Sequence, residues 1–322
     1  MSKTNKVVTV TLNPALDLTG SIDLLSSGTV NLVSSSSLHA AGKGVNVAKV
    51  LSELGADVTV TGFLGSENPE LFYQLFDQIG VTNRFIEVKG STRINVKLVE
   101  KDERVTDINF PGVTVSQADV DKFEAELLEL ANEHEYFVFA GSLPGGVSPS
   151  QCAAWIKKLR KLGKKVLFDS SKAALKAGID AQPWLIKPND EELSDYIGSS
   201  LTTAEECKSV AQQLTHKGID NIVVSMGKDG VMWLHDGEWL SAKPPQMKVV
   251  STVGAGDTLV AGLCWGYMQD FEKESLIRFA TALSALAVSQ VGVGLTSQKE
   301  LEEIKNQTQV RVLDLAITRI EN

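Results

Sequence analysis

Short, largely apolar runs alternate with stretches of helical period along most of this chain. Lys6–Leu12, Val58–Leu64, Phe137–Ala140, Val166–Phe168, Trp184–Ile186 and Ile222–Val224 have the length and composition of buried strands. Between them, apolar residues recur at helical spacing in Val45–Leu54, Glu70–Ile79, Gln117–Ala131, Pro149–Leu162, Ala173–Ala177, Glu191–Ile197 and Thr203–Thr215. Asp257–Met268, Lys273–Ser289 and Gln298–Asn306 read as three further helices, with fraying expected at the final residues. Val231–Leu234 and Glu238–Ala242, joined at Asp236-Gly237, read as a hairpin.

Four segments break this pattern. Leu16–Ile22 and Val30–His39 read as weaker, more polar strands joined by a Ser/Gly-rich turn, while Arg93–Glu100 and Thr106–Phe110 alternate in period two, which predicts half-exposed antiparallel strands for that second pair. The expectation is therefore an α/β protein with a mostly parallel sheet flanked by helices. Residues 1–12, 40–90 and 113–322 form that core, and residues 13–39 and 91–112 form a small β-sheet lid.

Composition narrows the function classes. A net charge of −9 argues against a general nucleic-acid binder, which needs a basic surface. Cys152, Cys207 and Cys264 are odd in number and far apart, so they suggest buried thiols rather than disulfides or a zinc site. The apolar run Val7–Leu12 is too short for a signal peptide or a membrane span, so a cytoplasmic location is expected. The four histidines are scattered, and His134 and His216 read as surface residues. Neither a P-loop nor a G-x-G-x-x-G dinucleotide fingerprint is present.

The chemistry concentrates in loops that follow strands. In Val250–Asp257 two glycines, Gly254 and Gly256, feed a helix start, whose unpaired N–H groups favour an anion. Asp257 sits where that anion would lie, a placement that suits a base for an attacking hydroxyl. The plainer reading is an ordinary turn with an acidic first helical turn. Gly42-Lys43-Gly44-Val45-Asn46 is a second such start, with a mobile cation and a hydrogen-bonding amide, or simply a helix start with an exposed lysine. In Lys187–Glu192, Asn189 and Glu192 are three apart and face one way. They can hold a hydrated Mg²⁺ beside nucleotide phosphates, form a capping box, or do both. Gly141–Gly146 and Ser225–Gly230 add two more loops at strand ends, where open α/β sheets bind ligands.

Taken together, Ala41–Ala48 and Thr252–Asp257 resemble the two signatures of the ribokinase-like (PfkB) sugar kinases. Asn13–Asp17, Arg93, Gly141–Pro144, Lys187–Asn189 and Ser225–Gly227 follow in the family's order. The lysine between the glycines and Thr92–Lys97 are similar to the phosphosugar branch, closest to the members that act on fructose 1-phosphate. The family often has Asp-Thr before the second signature; here Ser251-Thr252 stands there, which weakens any transfer of a monovalent-cation site.

The resemblance implies ATP-dependent phosphorylation of fructose 1-phosphate at its C6 hydroxyl, with tagatose 6-phosphate as the nearest rival substrate. A non-catalytic sugar-phosphate sensor and a nucleoside kinase are more distant rivals. It implies that Asp257 is the base and that the N–H groups of Gly254, Ala255 and Gly256 stabilise the transferring phosphoryl group. Asp17, Gly42 and Asn46 would bind the sugar. Lys43, Arg93 and Ser142 would hold its phosphate, with Asn95 and Lys97 nearby. Lys187, Ser225, Gly227, Gly230 and Thr252 would border ATP, Ala285 and Val288 would face adenine, and Asn189 with Glu192 would position Mg²⁺. The lid edges further suggest a homodimer.

Overall fold

The computed structural model describes residues 5–102, 104–290 and 292–313. Strand β1 (Lys6–Thr11) leads into β2 (Ala15–Ile22) and β3 (Ser35–Ala41), after which α1 (Lys43–Glu53) and β4 (Asp57–Gly65) follow. Helix α2 (Glu70–Ile79) and two short strands, β5 (Thr82–Asn83) and β6 (Ile86–Val88), precede β7 (Arg93–Glu100) and β8 (Val105–Ile108). Regular alternation then sets in with α3 (Gln117–Leu130), β9 (Tyr136–Ala140), α4 (Pro149–Lys161), β10 (Lys165–Asp169), α5 (Lys172–Ile179) and β11 (Leu185–Ile186). Next come α6 (Asp190–Ile197), α7 (Ala204–Thr215), β12 (Asn221–Ser225), β13 (Val231–His235) and β14 (Glu238–Lys243). Helices α8 (Ala255–Met268), α9 (Lys273–Val288) and α10 (Gln298–Gln307) precede β15 (Gln309–Leu313).

Among the described residues the main sheet runs β15-β14-β13-β12-β11-β10-β9-β1-β4-β5, with β6 also paired to β4. From β12 to β5 every pairing is parallel. The edge from β12 to β15 is antiparallel. Neighbouring residues of a central strand serve opposite faces. Val138 joins a core with α1, α8 and α9, and Phe139 joins one with α3, α4 and α7. Coverage of both faces explains why these strands lack a polar alternation.

Strands β3-β2-β7-β8 form a separate four-stranded sheet. Strand β7 pairs antiparallel with β8, as expected of Arg93–Glu100 and Thr106–Phe110. The central pair β2–β7 is parallel, with Ala15 opposite Arg93 and Ile22 opposite Glu100. Both strands leave the core at the same point and run outward, which fixes a common direction. The strand expected over Val30–His39 is Ser35–Ala41, and Val30 and Leu32 are largely exposed. Alternation divides the sheet into two faces. Asp17, Asn95, Arg93, Lys97 and Asp107 share one, and Leu38, Ile94 and Ile108 share the other and are exposed.

Three local features were not expected. Strand β15 extends the main sheet through β14. The short strands β5 and β6 pair with β4. His134 is buried, its Nδ1 2.9 Å from the Leu130 carbonyl and its Nε2 3.4 Å from Thr59 Oγ1. All three cysteines are buried and free, as expected. The fraying expected at the end falls largely on residues 314–322, outside the described residues.

Candidate active site

The parallel strands β1, β9, β10, β11 and β12 end on one edge of the main sheet, and their following loops carry the singled-out residues. Two helices start over this edge in the same unusual way. Helix α1 begins after Gly42, at φ 136°, and α8 after Gly254, at φ 80°, and neither receives a side-chain cap. A residue with a Cβ is strained in either conformation. At Gly254 the Cβ would also collide with Val293 Cγ2. The Ala255 N–H makes only a long 3.4 Å contact to the Thr252 carbonyl. Helix α9 fixes this loop, because the Val288 carbonyl accepts from the N–H groups of Val250 and Ser251 and Ser284 Oγ donates to the Ala255 carbonyl.

Asp257 lies in the first turn of α8 and is buried, at 5% exposure. Asn46, from the first turns of α1, donates to its Oδ2 at 2.7 Å. Burial, and then the neighbouring Asp169 charge, push the Asp257 carboxyl up from the ordinary 3.8 to about 6; Lys43, Asn46 and Lys187 hold it back. A carboxylate with a value near neutrality suits proton abstraction, being ionised at working pH yet basic enough to take a proton.

Asp169, at the end of β10, was not among the expected site residues. It is 1% exposed and faces two ammonium groups. Lys43 donates to Oδ2 at 3.2 Å. Lys187 Nζ lies 3.3 Å from Oδ1, an ion pair without good hydrogen-bond alignment. Burial opposes the Asp169 charge, but Lys187 and Lys43 more than offset it and hold the carboxyl below its ordinary range. Burial likewise opposes the Lys43 charge, which Asp169, Asp257 and Glu192 reverse, so its pKa rises above the ordinary lysine range. Lys187 also passes the start of α8, where a Cβ on Gly256 would be 3.6 Å from its Nζ.

Asn189 and Glu192 form a complete capping box at the start of α6, at 2.7 and 3.0 Å. Burial and then Asp169 raise the Glu192 pKa, the environment of a carboxylate that would gain from a cation. Among the described residues no group of three or more His, Cys, Asp or Glu side chains has metal-binding geometry. The donor set therefore fits a largely hydrated Mg²⁺ shared with phosphate oxygens, not a protein-only cage. Ser225 is brought beside this segment, its N–H donating to the Pro188 carbonyl.

Arg93, Asp17 and Asn95 lie on the small sheet. Arg93 donates to the carbonyls of Asn13, Pro14 and Phe110, and among the described residues no carboxylate lies in salt-bridge range of it. Burial lowers its pKa, partly offset by Asp17. Asn13 in turn donates to Ser142 Oγ, so Arg93 is linked to the loop after β9. Asn95 donates to Asp17, whose pKa burial raises. Gly227 lies in a short 3₁₀ turn closed by Gly230, while Thr252 is exposed. Ala285 is buried within the core and Val288 is half-buried.

The pfkB carbohydrate-kinase family profile matches residues 10–300. A protein named 1-phosphofructokinase from Vibrio cholerae is 67% identical over 310 residues, or 96% of this chain and 98% of that one. One of the same name from Escherichia coli is 48% identical over 297 residues, or 92% and 95% of the two chains. Among solved structures, phosphofructokinase-2 from E. coli in complex with substrates and products superposes with a TM-score of 0.84 at 26% identity. That match covers 94% of this chain and 98% of that one. The chain belongs to the pfkB family of carbohydrate kinases.

Proposed function

We propose that this kinase transfers the γ-phosphoryl group of ATP to the C6 hydroxyl of fructose 1-phosphate, giving fructose 1,6-bisphosphate and ADP. The observation that carries the chemistry is Asp257, a buried carboxylate with a near-neutral pKa set in an uncapped helix start beside two lysines. The names of the relatives from V. cholerae and E. coli support the substrate.

In this reading Asn46 holds the Asp257 carboxylate in place. Asp257 takes the hydroxyl proton as the O6–P bond forms and the γ-phosphorus parts from the β–γ bridging oxygen. The N–H groups of Gly254, Ala255 and Gly256 meet the charge on the transferring group, as preorganised donors do. Lys187, Ser225, Gly227, Gly230 and Thr252 border ATP, with Ala285 and Val288 behind the base. Asn189 and Glu192 hold Mg²⁺, which supplies charge neutralisation on the phosphates when bound. An ammonium has three donors, so Lys43 can keep Asp169 and still reach the sugar phosphate. Arg93 and Ser142 complete that anion site. The polar face of the small sheet, with Asp17 and Asn95, closes over the sugar as a lid and excludes water.

A coupled ADP assay over fructose 1-phosphate, fructose 6-phosphate and tagatose 6-phosphate tests the assignment. The highest kcat/KM is expected with fructose 1-phosphate. Preference for either other sugar would overturn the substrate, and sugar-phosphate binding with no ADP release would indicate a sensor.

We further propose that two copies pair through the outer face of the small sheet, where Leu38, Ile94 and Ile108 are 38–45% exposed. Ile94→Glu is expected to halve the mass seen by light scattering, and an unchanged mass would exclude this face. No helix among the described residues is long and apolar enough to cross a membrane, and we place the enzyme in the cytoplasm.

A further inference from the structure

Asp169 has no part in the transfer as described above, yet it is the most enclosed charge beside Asp257. A carboxylate at 1% exposure is tolerated only when paired, so its two cations are obligatory partners rather than incidental ones. Those cations come from unrelated parts of the chain. Lys43 opens α1 after the strained Gly42, and Lys187 follows the end of β11. Each ammonium meets a different oxygen of the one carboxylate.

We propose that Asp169 is a positioning residue for phosphoryl transfer, fixing the sugar-side Lys43 and the nucleotide-side Lys187 at the start of α8 before either phosphate arrives. The inference rests on the kinase reading above. Lysine side chains lose much rotamer freedom when immobilised, and fixing them in advance removes that cost from ligand binding. Lys187 is almost wholly enclosed, whereas the Lys43 side chain is 40% exposed, which leaves it room to meet a ligand while it keeps Asp169. The same carboxylate raises the basicity of Asp257, on which Lys43, Lys187 and the Asn46 amide act in the opposite sense. One group thereby sets the spacing of two anchors and the strength of the base.

Asp169→Asn keeps the shape and removes the charge. It is expected to raise KM for both ATP and the sugar phosphate about tenfold. It should also lower kcat about 100-fold and move the acid limb of the kcat profile to lower pH. Wild-type KM values and an unmoved acid limb, even with a lowered Tm, would reduce Asp169 to a structural role. If Asp169→Asn does not fold, Asp169→Glu retains the charge but displaces it by one methylene. A fall in kcat is then expected, and wild-type kinetics would overturn the proposal. A readout independent of turnover is the ammonium spectrum of ¹⁵N-lysine-labelled protein without ligand. Two slowly exchanging ammonium signals are expected in the wild type and neither in the Asn variant. Their absence from the wild type would refute the tether even if the kinase reading stands. Their presence would uphold the tether even if no phosphosugar is turned over.

Discussion

Helices α3 and α7 begin in reciprocal capping boxes, Ser116 with Asp119 and Thr203 with Glu206, whereas α1 and α8 begin at glycines with no side-chain cap. All four starts face the same physical demand, since a first turn leaves N–H groups without helical partners. The capped starts meet that demand internally and hold their helices in place. The glycine starts leave it for something external. They also converge, because Asn46 of α1 donates to Asp257 of α8. Helix α6 combines both habits, for its capping box is made by Asn189 and Glu192, the pair suited to a hydrated cation.

The comparison predicts that changes at glycine starts alter turnover and changes at capped starts alter stability. The largest effect is expected from Asp257→Ala, with kcat reduced about 10³- to 10⁴-fold and sugar phosphate still bound. The folded-state pKa of Asp257 lies above its unfolded value, so its contribution to stability is complete below 3.8 and is lost as pH rises through about 6. At pH 7 the ionised, buried carboxylate therefore costs on the order of 3 kcal/mol, and Tm should not fall in the variant. Wild-type kcat should decline as pH drops through about 6, as the base is protonated. Near-normal turnover in the variant, or an acid limb absent down to about pH 4, would remove Asp257 from the base role.

Gly254→Ala comes next. Its Cβ would have to avoid Val293 and adopt a positive φ, which tilts the N–H groups of the following turn. A loss of about 100-fold in kcat with an unchanged circular dichroism spectrum is expected. Retained turnover would mean that this start does not engage the transferring group.

Much of this division could be read from residue order. The two glycine loops, the Asn189–Glu192 spacing and the alternation of strands and helices are local signals, set within a few residues of each other. Asp169 carries no such signal. It follows a short apolar run like any turn aspartate, and its partner Lys43 stands 126 residues away. Burial of His134 depends on Thr59, 75 residues distant, and β15 gains its strand character from β14. The parallel β2–β7 pair arises because two excursions leave the core together, a fact of topology invisible to period-two alternation. What escaped the sequence was long-range partnership, on which the strand character of β5, β6 and β15 also depends.

Glu192→Gln sharpens the intermediate case of α6. Glutamine can serve in a capping box as glutamate does, so Tm should stay within about 2 °C. The lost charge should instead raise the Mg²⁺ concentration needed for half-maximal rate about tenfold. A lowered Tm with an unchanged Mg²⁺ requirement would make Glu192 a cap and nothing more.

The smallest effect is expected at a capped start. Ser116 Oγ accepts from the Asp119 N–H at 3.2 Å, and Asp119 accepts from the Ser116 N–H at 3.0 Å. Ser116→Ala should cost about 1 kcal/mol and lower Tm by about 2 °C, with kcat and both KM values unchanged. The hydrogen bonds from Ser116 hold the Asp119 pKa below its ordinary value. That part of the stability is therefore present at neutral pH and lost as pH falls below the usual aspartate range. The Tm gap between wild type and variant should accordingly narrow in acid. A kinetic effect as large as that of Gly254→Ala would show that the two kinds of helix start are not functionally distinct.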